Sequence, residues 1–230
     1  MKTEKAAIFI LSLILYPAMG LAQVIDHPNS AMKSPETLVI NRIETGDGKT
    51  TVYLTLENRI KDGYFCADKN IFIIYPDGSR SKLVKAVGIP SCPEMHKFKE
   101  AGEKLDFTLV FPALKKDVQW IDLVEECSSG CMFFYGLTLD QELNRQLEDL
   151  FQKAEKATPE ESIVLFKSMI DETTGKNLGI NGLLYINIII ASVEAGDKPG
   201  ASVWYKRFLA SNSPRLSYYL KFLNDKGIRF

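Results

Sequence analysis

Between Leu38 and Leu139 apolar side chains recur at every second position, and from Asp140 onward the period lengthens to about 3.6. No other feature limits the fold as much. A period of two buries one face of a strand, whereas a period near 3.6 buries one stripe of a helix. The runs with the strand period cover residues 38–44, 50–59, 70–75, 80–87, 105–111, 119–125 and 132–139. Gly46-Asp47-Gly48 and Pro76-Asp77-Gly78 separate neighbouring runs with turn chemistry. In the second run Val52, Leu54 and Leu56 share a face, and in the fifth Phe107, Leu109 and Phe111 do so.

About seven short strands in roughly 100 residues, each with one apolar face, bury that face only against a second sheet. Residues 38–140 therefore read as an immunoglobulin-like antiparallel β-sandwich. Residues 141–230 read as a separate α-helical domain, so the fold class is multidomain, β plus α. Leu143, Leu147, Leu150, Phe151 and Ala154 form the first helical stripe, with Asp140 as its cap. Thr158-Pro159 predicts a cap and first-turn proline for a second helix to about Ile170, and residues 175–182 break the pattern. The segment LLYINIIIASVEA, residues 183–195, is apolar almost all round and predicts the most buried helix; its 13 residues are too few to span a bilayer. A turn at 196–200 leads to a helix over 201–210, and Ser213-Pro214 opens a last one to about Lys226, ended by Gly227.

The address comes from MKTEKAAIFILSLILYPAMGLA. Lys2 and Lys5 precede an apolar run, Pro17 follows it, and Gly20 and Ala22 supply the small-x-small pattern before cleavage. Residues 1–22 thus read as a signal peptide and 23–37 as a leader segment ahead of the sandwich. The apolar run is about half the roughly 20 residues a membrane span needs. The expected destination is the periplasm or the exterior, with no transmembrane segment in the mature chain.

An exported chain meets oxidising surroundings, where an even cysteine count reads as disulfides. Cys66, Cys92, Cys127 and Cys131 allow three pairings. Between Cys127 and Cys131 the loop Ser128-Ser129-Gly130 suits a three-residue hairpin turn, with glycine at the left-handed position. Opposed residues on such a hairpin lie about 4.5–5.5 Å apart at Cα, within disulfide reach. The expected bonds are Cys66 to Cys92 and Cys127 to Cys131. A zinc site would have to draw on Cys92, His96 and His27, and no CxxC redox pair is present, so no metal or cofactor is expected.

Charge excludes one class of partner. Residues 23–142 carry 14 Lys+Arg against 18 Asp+Glu and residues 143–230 carry 12 against 10, so neither part is basic enough for nucleic acid. Enzyme signatures are missing too: there is no GxSxG, HExxH, GxxxxGK[ST] or GxGxxG. His96 is the one histidine in a loop context suited to acid–base work, and Glu125-Glu126 and Asp140 with Glu142 are the paired carboxylates. Adjacent strand residues face opposite ways, so Glu125 and Glu126 read as charged hairpin ends rather than one site. No catalytic residue is assigned.

The carboxyl end interleaves aromatic and basic side chains: Trp204, Tyr205, Lys206, Arg207 and Phe208, then Arg215, Tyr218, Tyr219, Lys221 and Phe222. From Asp197 onward there are 7 Lys+Arg against 2 Asp+Glu. Trp204, Tyr205, Arg207, Arg215 and Tyr219 are therefore the expected partner-binding residues, for an acidic or aromatic-anchored protein or peptide.

Two resemblances bear on this reading. SIVLFKSMI from Ser162 aligns with ASVWYKRFL from Ala201, 39 residues later, each after a helix and a tight turn. That order resembles a tetratricopeptide-like helical hairpin, with a plain helical bundle as the other arrangement these helices allow. The segments FIIYPDGS from Phe72, GIP from Gly88, DFTLVFPAL from Asp106, IDLVE from Ile121 and FFYGL from Phe133 resemble an uncharacterised group of exported bacterial immunoglobulin-like β-sandwich domains. The resemblance implies fold and export and carries no catalytic residues. The expected function is an exported envelope binding or scaffold protein, and the alternative is an envelope hydrolase with a site between its two domains.

Overall fold

The computed structural model describes residues 23–230, so the expected signal peptide at 1–22 lies outside the described residues. The described chain is mixed β plus α. Its strands are β1 (Gln23–Asp26), β2 (Met32–Ser34), β3 (Leu38–Gly46), β4 (Lys49–Glu57), β5 (Tyr64–Phe65), β6 (Ile71–Ile74), β7 (Arg80–Lys82), β8 (Lys85–Val87), β9 (His96–Lys97), β10 (Lys104–Pro112), β11 (Trp120–Glu125) and β12 (Phe133–Thr138). The helices α1 (Gln141–Ala154), α2 (Pro159–Glu172), α3 (Asn181–Glu194), α4 (Lys198–Ala210) and α5 (Leu216–Asp225) follow.

Two five-stranded antiparallel sheets are ordered β1-β3-β4-β10-β8 and β2-β12-β11-β6-β7, and β5 pairs with β9 apart from them. The alternation read in the sequence is what lets the sheets share one core. Val52, Leu54 and Leu56 of β4 and Phe107, Leu109 and Phe111 of β10 point inward from the first sheet. Ile71, Ile73, Ile121, Leu123 and Phe134 meet them from the second. The run 80–87 divides into two strands, because the chain crosses from one sheet to the other at Leu83 and Val84. There the Leu83 N–H donates to Ile71 and the Val84 N–H to Val110, both at 2.8 Å. Residues 23–37, read as a leader, instead supply β1 to one sheet edge and β2 to the other.

Both disulfides pair as the spacing predicts. Cys66–Cys92 and Cys127–Cys131 have Cα separations of 5.3 and 5.5 Å, and Gly130 takes a φ of 70° in the tight loop. Glu125 ties the two bridged loops together: one carboxylate oxygen accepts the Asp68 N–H at 2.7 Å, the other the Met132 N–H at 2.9 Å. It is buried, so its reading as a charged hairpin end is corrected; Glu126 alone faces out, paired with Arg80.

Three helices start at a capping side chain, Asp140 for α1, Thr158 for α2 and Asp197 for α4, whereas α3 and α5 have none. Asp140 accepts the Leu143 N–H at the head of α1, and Thr158 with Glu161 closes a capping box on α2. Helix α3 packs against α2, α4 and α5 and buries residues on most of its circumference, as expected of the all-apolar segment. Helix α5, in contrast, begins at Leu216 rather than at Ser213-Pro214, because Arg215 adopts the left-handed conformation at φ 60° and turns its side chain towards the sheets. Among the described residues no helix is long and apolar enough to cross a membrane.

Candidate functional site

The helices sit on the second sheet through polar and apolar contacts that the linear sequence does not show. Asn144 of α1 is buried; its side-chain oxygen accepts the Asn29 N–H at 2.7 Å and its amide donates to the Thr138 carbonyl at 3.0 Å. Trp120 Nε1 donates to the Asn177 carbonyl at 3.0 Å. Gly136 in β12 and Gly179 before α3 allow the backbones to meet: a Cβ on Gly136 would lie 2.5 Å from the Gly179 carbonyl oxygen, and one on Gly179 would lie 2.6 Å from the Trp120 ring. Their φ values of 60° and 73° are in the region that favours glycine.

An ion pair lies beneath this contact. Arg215 donates from Nε to Asp122 Oδ2 at 3.2 Å and from Nη2 to Asp122 Oδ1, while the Gly136 N–H donates to Asp122 Oδ1 at 2.7 Å. Only 10% of the Arg215 side chain and 12% of the Asp122 side chain are exposed. The guanidinium also lies 4.8 Å from the Tyr135 ring centre and 5.3 Å from that of Trp120, a geometry in which the ring faces attract the cation. A bulge in the β11–β12 register between Ile121 and Leu123 frames Asp122 on the outer side of the sheet.

Above the pair runs a ridge of aromatic rings that crosses from sheet to helix. Phe133 and Tyr135, two apart on β12, stack with centroids 4.5 Å apart, and Tyr135 meets Tyr218 of α5 at 5.5 Å. Phe222 continues the line one turn along α5, with Lys226 over its ring at 5.2 Å. Tyr218 is 47% exposed and Phe222 39%, so their outer faces are open to solvent. Strand pairing extends the apolar row across the sheet from Phe133 to Val124 to Phe72, where Arg80 lies 3.9 Å from the Phe72 ring centre. Burial raises the Tyr135 hydroxyl above the ordinary tyrosine range, so it is a neutral hydrogen-bonding group at physiological pH.

The five residues expected to bind a partner do not share a surface, which corrects that expectation. Tyr219 is 1% exposed, wedged edge-on against Phe208 in the helical core, and its hydroxyl has no partner among the described residues. Arg215 is the buried half of the ion pair. Trp204 and Tyr205 are half-buried on α4, Trp204 against Tyr185 and Tyr205 against Phe230, and Arg207 is exposed beside the Trp204 ring. The sequence reading missed Tyr218 and Phe222 as the outward pair. A signal for them was present: Leu216, Tyr219, Leu220 and Leu223 have the i, i+3, i+4, i+7 spacing of an inward stripe, which leaves Tyr218 and Phe222 outside.

His96 pairs with Phe65 in the small β5–β9 ladder, and its ring meets Phe98 edge-on at 4.7 Å. Asp140 is occupied as the α1 cap and Glu142 pairs with Arg145. All four cysteines are bonded, and among the described residues no group of three or more His, Cys, Asp or Glu is placed to hold a metal ion. Set against known protein families, curated proteins and solved structures, the chain matches none.

Proposed function

We propose that the chain is an exported binding or scaffold protein of the cell envelope, an immunoglobulin-like β-sandwich joined to a tetratricopeptide-like helical unit. In this reading it holds a protein or peptide partner on the ridge of Phe133, Tyr135, Tyr218 and Phe222. The observation that carries the reading is that these rings come from two elements far apart in sequence and meet over a buried, hydrogen-bonded ion pair. Rigid aromatic side chains on a fixed frame are what docking sites use, since little freedom is lost on binding. Lys226 over Phe222 and Lys82 over Phe72 have no acidic partner among the described residues and suit a partner with acidic groups beside its apolar anchors. Two disulfides support the extracytoplasmic address, because such bonds persist in oxidising compartments.

The test is site-specific photo-crosslinking in the native cell, with a photoreactive residue at Tyr218 or, as control, at exposed Val164 on α2. The expected result is a discrete adduct from position 218, lost when Phe222→Ala is added, and none from 164. Adducts of equal yield at both positions, or none at 218, would overturn the reading.

A further inference from the structure

Residues of α1, α2 and α3, with Asn29, line an open groove of about 540 Å³ that contains none of the ridge residues. Its lining includes an apolar patch, with Phe151 and Phe166 at 5.7 Å between ring centres and Ile190, beside the polar Ser162 and Asn187. Its rim is acidic: Glu148, Glu155 and Glu194 are all exposed, and none has a cation within ion-pair distance among the described residues. The complement is in the same chain. On α4, Val203, Lys206, Arg207 and Ala210 have the spacing of one stripe and all are exposed, Val203 at 51%; Lys206 and Arg207 have no acidic partner among the described residues. Residues 141–196 hold five Lys+Arg against nine Asp+Glu, a net −4, whereas residues 197–230 hold seven against two, a net +5.

We infer that the acidic groove receives the α4 stripe of a second copy of this chain. An apolar residue flanked by two cations on a helix face is the shape and charge that an apolar patch with a carboxylate rim accepts. Each copy carries both halves, so a twofold dimer makes the contact twice and closes on itself. The inference does not depend on the partner ridge, whose residues lie on β12 and α5.

Sedimentation velocity of the mature chain tests it. The expected result is a dimer whose dissociation constant rises roughly tenfold or more between about 0.05 and 0.5 M salt, as screening weakens the charge contacts. Glu155→Lys with Glu194→Lys, and separately Lys206→Glu with Arg207→Glu, should each give a monomer whose circular-dichroism spectrum matches the wild type and whose melting temperature is unchanged at concentrations where the wild type is also dissociated. An equimolar mixture of the two variants should dimerise again, because native groove meets native stripe and reversed groove meets reversed stripe. A wild-type chain that stays monomeric at about 100 μM would overturn the inference and leave the groove to a basic partner of another kind. A dimer that survives both reversals, or that is dissolved instead by Tyr218→Ala with Phe222→Ala, would overturn it equally.

Discussion

Arg215 shows how one residue links sequence, fold and surface. Its left-handed backbone ends the turn after α4, its guanidinium neutralises Asp122, and its stacking on Tyr135 and Trp120 holds the rings on which the ridge rests. Removing one member of a nearly buried ion pair leaves the other uncompensated, which costs about 3–5 kcal/mol. Asp122→Ala is therefore expected to lower unfolding free energy by about 3 kcal/mol. Arg215→Met in that background should restore part of the loss, and urea titrations of the four-member cycle would measure the coupling. Glu125 gives a pH signature. Burial raises its carboxyl in the fold, against the lowering effect of the Asp68 and Met132 N–H groups. A raised folded value means that its contribution to stability is fully present below about pH 4, the ordinary glutamate range, and is lost as pH rises through the raised value. The unfolding free energy of wild type relative to Glu125→Gln should therefore rise as pH is lowered from neutrality towards 4, and a difference independent of pH would contradict this assignment.

At the scale of elements, periodicity made most of the architecture legible. The strands at 38–46, 49–57 and 104–112 and the bodies of all five helices follow from alternation and breaks that each segment carries by itself, although α4 begins at Lys198, three residues before the expected 201. What stayed hidden depended on partners elsewhere. The change of sheet at Leu83 and Val84 leaves little local mark, because Leu83 before it and Ala86 after it pack against the same core. The late start of α5 follows from an ion pair with a residue 93 positions away. Tyr218 and Tyr219 are adjacent and chemically identical, so only the phase of the helix tells the outward ring from the core ring. The disulfides were readable because turn length limits Cys127 to Cys131 and leaves the other pair. Their contributions should differ with loop length: about 2 kcal/mol for the short bridge and about 3.5 kcal/mol for Cys66–Cys92 by the chain-entropy argument. Serine variants of each pair, compared by urea midpoint, should show the larger loss for Cys66–Cys92.

Over the whole molecule, antiparallel sheets and five helices are joined by a contact that is both polar and close. Asn144, Trp120, the Gly136–Gly179 approach and the Asp122–Arg215 pair spread the junction over α1, the segment before α3 and the start of α5. A surface assembled from β12 and α5 has a defined shape only while that junction holds, so the central claim is that sheets and helices open as one cooperative body. Native-state hydrogen exchange in increasing denaturant tests this most directly, by comparing the slowest amides of β10 with those of α3. The expected result is that both reach the same opening free energy, within about 1 kcal/mol, and merge into one denaturant dependence. If α3 opened several kcal/mol more easily than β10, the sheets and the helices would be independent and the ridge between them would not be a site.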